Sequence, residues 1–138
     1  MTEKVFLDTN FLIYCFSSDE PDKQKKCLDI LIKEKAKKSF VLSTQVLNEF
    51  AAVMIKKYQV SALAVKEIIQ DFSEFETVKI DIPQISDAID IHILNQLSFW
   101  DSLIISAAKS ANCTTIYTED LQHNQKIGNV RISNPFIS

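Results

Sequence analysis

Residues Val5–Phe16 read VFLDTNFLIYCF. Two apolar runs flank the triplet Asp8-Thr9-Asn10. Lys4–Leu7 has the length and composition of a short buried strand, and Phe11–Phe16 begins a helix. The polar triplet is then the turn between them, and a carboxylate stands at the carboxyl end of the first strand. A chain that opens strand, turn, helix is the first half of a parallel α/β unit.

The rest of the sequence continues that alternation. Pro21 sits in the first turn of a helix running to Lys37, with Cys27, Leu28, Leu31 and Ile32 on its apolar side. Ser39–Leu42 is a second strand. Ser43 or Thr44 caps a helix whose Leu47, Phe50, Ala51, Met54, Ile55 and Tyr58 share a face. Ser61–Phe75 is helical, Thr77–Ile80 a third strand, and Pro83 opens a helix to about Gln96. Trp100–Ala111 places Trp100, Leu103, Ile104, Ala107, Ala108 and Ala111 at helical spacing. Thr114–Tyr117 and Val130–Ser133 are two further strands. The expected fold is a mostly parallel sheet of four to five short strands with helices on both faces.

Size and composition bound the function classes. The 138 residues, 46% of them hydrophobic, suit one globular domain over residues 1–138. The opening apolar run is too short for a spanning helix and lacks the cleavage pattern of a signal peptide, so a cytoplasmic protein is expected. Three cysteines with no C-x-x-C pair predict free buried thiols rather than a disulfide scaffold or zinc site. Two histidines, far apart, suggest no zinc cluster. A net charge of −3 excludes a generally polybasic nucleic-acid binder.

Four acids fall where such sheets build sites, beyond the carboxyl ends of strands. Asp8 ends the first strand. Glu49 lies in the helix after the second. Asp101 lies in the first turn of the Trp100 helix, and Asp120 follows the Thr114–Tyr117 strand. Each has a plainer structural reading. Asp8, Thr9 and Asn10 are all good helix caps. Ser98 and Asp101 have capping-box spacing, and Asp101 suits the helix dipole. Glu119 and Asp120 could be solvated loop residues. Glu49 lies opposite Leu47, Ala51 and Met54, a solvent-facing position. Jointly the acids say more. Carboxylates that converge without matching cations repel and raise one another's pKa, which a divalent cation relieves. Oxygen ligands without His or Cys suit Mg²⁺ or Mn²⁺.

Four segments also carry a resemblance. VFLDTNFLIY, STQVLNEF, LSFWDSLIISAA and YTEDLQHNQKIGNVRISNPF resemble, in order and nearly over the whole chain, the acid-bearing segments of PIN-domain nucleases, most of all the VapC-type toxins of toxin–antitoxin pairs. The resemblance implies a three-layer α/β/α fold and a metal-dependent endoribonuclease. Asp8 and Asp101 would be the main metal ligands, with Asp120 and Glu49 completing the cluster, and water activated by Mg²⁺ or Mn²⁺ would attack a phosphodiester. Between Glu119 and Asp120, the T-x-D spacing selects Asp120. Thr9, Asn10, Ser43 and Thr118 would orient carboxylates. The family often has Gly where this chain has Asn124. It further implies an RNA substrate, a homodimer, and an antitoxin whose C-terminal segment covers the acidic groove.

RNA must reach an acidic site on an acidic protein. Lys23, Lys25, Lys26, Lys33, Lys35, Lys37 and Lys38 supply seven of the fifteen basic residues and could contact phosphates. A solvated helix face interleaved with Asp22, Asp29 and Glu34 is the plainer reading. Phe11, Tyr14, Phe16 and Trp100 could stack bases, or belong to core and interface. Two other functions compete with the nuclease. One is a non-catalytic PIN-fold module that binds RNA or protein. The other is an aspartyl phosphatase using Asp8, which would want a second Asp where Asn10 stands.

Overall fold

The computed structural model describes residues 2–137. In chain order it has β1 (Glu3–Leu7), α1 (Thr9–Phe16), α2 (Pro21–Glu34), β2 (Lys38–Ser43), α3 (Thr44–Lys56), α4 (Ala62–Phe72), β3 (Glu76–Val78), α5 (Ile82–Asn95), α6 (Phe99–Ser110), β4 (Thr115–Tyr117), β5 (Lys126–Ile127) and β6 (Val130–Ser133). The strands form one sheet in the order β3-β2-β1-β4-β6-β5. All pairings are parallel except β5 with β6.

The centre of the sheet explains its hydrophobicity. Val5, Phe6 and Leu7 are each 0% exposed. Successive strand residues point to opposite faces, so burial of all three requires both faces to be covered. Val41, Leu42, Ile116 and Ile132 extend the same core through β2, β4 and β6. Each such side chain contributes about 1.5–3 kcal/mol on burial. Helix α1 packs on α2 and on α3, α3 packs on α4, and α5 packs on α6. Among the described residues no helix is long and apolar enough to cross a membrane. Cys15, Cys27 and Cys113 are free and buried, as expected.

Helix starts follow their caps. Asp8 accepts the Thr9 amide, Ser43 the Val46 amide, Ser61 the Ala64 amide and Ser98 the Asp101 amide. Asp81 and Gln84 close a capping box on α5. Two helix ends come earlier than the sequence suggests. α2 stops at Glu34, where Glu34 and the Tyr117 hydroxyl together hold Lys38 at the start of β2. α4 stops at Phe72, where the Ser73 hydroxyl turns back to the Gln70 carbonyl.

The sheet has six strands rather than four to five. The addition is β5, a two-residue strand that forms a tight hairpin with β6 through Gly128-Asn129. Gly128 has φ +60, the left-handed conformation such a turn requires and glycine adopts without strain. Asn124 also lies in the left-handed region, at φ 68. Asparagine tolerates that conformation, so this position does not require glycine.

Several aromatic residues have structural places. Phe11 is buried beside Tyr117, and Phe16 meets Phe50 and Phe72 edge to face. Tyr14 packs against the edge of Phe136. Trp100, expected on the buried side of α6, is instead 64% exposed, because it projects from the open side of the first turn while Ser102 in the same turn is fully buried.

Candidate functional site

The chain runs from β1 outward to β2 and β3, then returns to place β4 and β6 on the other side of β1. The boundary between β1 and β4 is therefore where the winding reverses, and a crevice opens there at the strands' carboxyl ends. Asp8 directly follows β1 and Thr118 directly follows β4. The Asp8 amide donates to the Tyr117 carbonyl at 3.2 Å, closing the boundary.

A cleft of about 360 Å³ occupies this place. Asp8, Glu49, Asp101 and Asp120 all line it, delivered by the β1–α1 junction, α3, α6 and the segment after β4. Thr9, Asn10, Gln45 and Trp100 complete its polar rim. None of the lining residues is Lys, Arg or His.

Asp8 is buried and fully engaged. Its Oδ1 accepts the Thr9 amide at 2.6 Å and its Oδ2 accepts the Thr118 hydroxyl at 2.6 Å. Burial pushes its pKa from 3.8 up to about 6. The two hydrogen bonds oppose that rise, while the charges of Asp120 and Glu49 add to it. The Asp120 carboxyl is also raised, by burial and by Glu119 and Asp101.

Neutral donors orient Glu49 and Asp120, while Asp101 is placed through its backbone. Thr9 Oγ1 donates to Glu49 Oε2 at 3.1 Å, and Gln45 Nε2 to Glu49 Oε1 at 2.9 Å. Asn10 Nδ2 donates to Asp120 Oδ2 at 3.2 Å, and the Asp120 amide donates to Thr118 Oγ1 at 3.1 Å. Ser98 accepts the Asp101 amide at 3.0 Å. Thr9, Asn10 and Thr118 thus meet carboxylates as expected. Ser43 does not, because its hydroxyl is spent on the α3 cap.

Sequence reasoning missed Gln45. It is 8% exposed, and it bridges Glu49 to the Trp100 carbonyl. Its Oε1 is buried and has no partner among the described residues. The available signal was its position one turn before Glu49 on the same helix.

Glu119 turns elsewhere. It accepts from the Tyr14 hydroxyl and from Lys23 Nζ, the latter at 2.8 Å. Burial alone would raise its pKa, but Lys23 and Tyr14 outweigh it and hold the carboxyl below its ordinary value. Of the adjacent pair, only Asp120 lines the cleft.

The sequence matches the PIN domain family over residues 5–127. The chain belongs to that family. No curated protein matches it. Among solved structures, this PIN domain is similar to VapC20 of Mycobacterium tuberculosis, a sarcin-ricin loop cleaving toxin. That pair has TM-score 0.70 and 13% identity over 84% of this chain and 89% of the other. A toxin–antitoxin complex from Klebsiella pneumoniae matches at TM-score 0.71 and 17% identity, over 96% and 98%. VapBC2 from Rickettsia felis, bound to a DNA fragment from its promoter, matches at 0.65 and 20%, over 95% and 98%. At these identities the likeness is one of fold.

The PIN domain's cleft suits a divalent cation by the chemistry of its donors. The ligand atoms are carboxylate oxygens, and no Lys, Arg or His lines the cleft beside them. The carboxylates share the cleft without closing on one point: among the described residues, no three His, Cys, Asp or Glu converge as a finished ligand set.

Proposed function

We propose that this chain is a single PIN-type nuclease domain, a Mg²⁺- or Mn²⁺-dependent endoribonuclease acting in the cytoplasm as the toxin of a toxin–antitoxin pair. The observation that carries the reading is the convergence of Asp8, Glu49, Asp101 and Asp120 on one cleft that has no basic residue in its lining. Asp8 and Asp101 are the principal metal ligands, with Asp120 and Glu49 completing the cluster. A bound divalent cation would lower the pKa of water and offset charge on the phosphodiester as it reacts. The protein's own part is positional. Asp8 is fixed through both oxygens, and Asn10 and Thr118 set Asp120 beside it. Thr9 and Gln45 aim Glu49, which orients the attacking water.

Partners follow from the surface. Ile32, Ile55 and Leu63 are exposed on α2 to α4, apolar ground for an antitoxin segment. Two of the similar structures are themselves toxin–antitoxin complexes. On α5, Ile82, Ile85, Ile89 and Ile93 form an exposed stripe at helical spacing, suited to the same stripe of a second copy.

The test is cleavage of single-stranded RNA by purified protein with Mg²⁺ or Mn²⁺. Activity is expected in wild type and absent in Asp8→Asn, in Asp101→Asn and with excess chelator. Unchanged cleavage in either variant overturns the reading.

A further inference from the structure

A second concavity, of about 500 Å³, adjoins the acidic cleft and shares Gln45, Glu49, Ala52 and Trp100 with it. Thr44, Asn48, Ile80 and Leu103 form its remaining walls. Resting on the nuclease reading above, we propose that this concavity is a nucleobase subsite. It would hold one unpaired base of a single-stranded RNA, stacked on Trp100, next to the phosphodiester in the acidic cleft.

Three observations carry this. First, Trp100 is more exposed than Phe11 or Phe16, and of Phe11, Tyr14, Phe16 and Trp100 it alone lines either concavity. Phe11 and Phe16 are packed against other rings, and Tyr14 is tied to Glu119 and Phe136. The Trp100 indole is 64% exposed and propped edge to face by Phe99 at a centroid distance of 5.4 Å. Second, the subsite's lining contains no Lys, Arg or His, so it offers nothing to a phosphate. Ala52, Ile80 and Leu103, with the amides of Gln45 and Asn48 and the Thr44 hydroxyl, suit a flat, uncharged group with hydrogen-bonding edges. Third, the concavity lies directly beside the acidic cleft, with Glu49 and Trp100 lining both. Every nucleobase carries N–H groups on its edges, and unpaired RNA bases are read by stacking and edge hydrogen bonds.

Trp100 is also the only tryptophan in the chain, so its fluorescence reports on this place alone. The experiment uses the full chain carrying Asp8→Asn, which leaves RNA intact. It is titrated with a short single-stranded oligoribonucleotide and, separately, with a base-less oligomer of the same charge and length. The expected result is quenching by the RNA and none by the base-less backbone. Adding Trp100→Leu lowers RNA affinity on the order of ten-fold, since one stacked base carries a loss of that size. Trp100→Phe retains part of it, and the base-less oligomer binds all three proteins alike. RNA binding without quenching, and with equal affinity in Trp100→Leu, overturns the subsite and leaves the nuclease reading intact. Emission already shielded by a concentration-dependent second copy also overturns it. Failure of wild type to bind or cleave any RNA overturns the nuclease reading itself.

Discussion

Thr118 holds Asp8 across the boundary between β1 and β4. Its hydroxyl donates to Asp8 Oδ2 at 2.6 Å, while its oxygen accepts the Asp120 amide at 3.1 Å. One side chain thus sets the relation between two carboxylates from opposite ends of the chain. Thr118→Val keeps the shape and removes both bonds. Metal-dependent cleavage should fall by about 10–100-fold. Thr118→Ser should restore most of it, which a merely steric role would not produce. Initial rates measured across a metal titration separate lost affinity from lost turnover.

Asp8 makes stability and activity pull in opposite directions. Its pKa is raised from 3.8 to about 6 in the folded chain. Between those values the folded chain keeps a proton that the unfolded chain has released. The stability this proton contributes is complete below the unfolded value and is lost as pH rises through the folded one. For the metal-free protein, about 3 kcal/mol of stability should disappear between about pH 4 and pH 7 on this account. Asp8→Asn should flatten that decline and be the more stable protein at neutral pH, yet be inactive. Urea denaturation with chelator present, repeated across the pH range, checks the sign.

Glu119 and Asp120 are adjacent but not equivalent. Asp120→Asn should abolish or severely reduce cleavage. Glu119→Gln breaks the partly exposed contact with Lys23 and should cost less than about 1 kcal/mol of stability. Its cleavage rate should stay near wild type. Equal losses in the two variants would mean that Glu119 reaches the cleft after all.

The α5 stripe gives a test of assembly. Ile89 and Ile93 are exposed in a single copy. Ile89→Glu with Ile93→Glu should convert a dimer to a monomer by light scattering, with little change in melting temperature once monomer is reached. A wild-type protein that is already monomeric at high concentration refutes the dimer.

Much of this was readable from the chain. Asp8 could be placed because strand and helix signals meet on either side of it. Asp101 and Asp120 followed from their positions at a helix start and after a strand. Glu49 was nominated as well, through the resemblance, although helical spacing made it solvent-facing; the position of α3 beside α1 and α6 turns that face toward a cleft. What escaped was set by three-dimensional context. Gln45 lies one turn before Glu49 on the same face of α3, where a glutamine carries no periodic signal. Trp100 fits an apolar stripe by spacing, but it projects from the open side of its turn. β5 was too short to show a period of two, though Gly128-Asn129 marked its turn.

The bond between Asn10 and Asp120 spans 110 residues. Asp120 cannot meet Asn10 until the chain has been made through β4 and β4 has paired with β1. An unfinished copy therefore carries no assembled acidic cluster. On the proposed function that connectivity acts as a timer: no cutting can begin from a nascent chain that has not yet been made through Asp120.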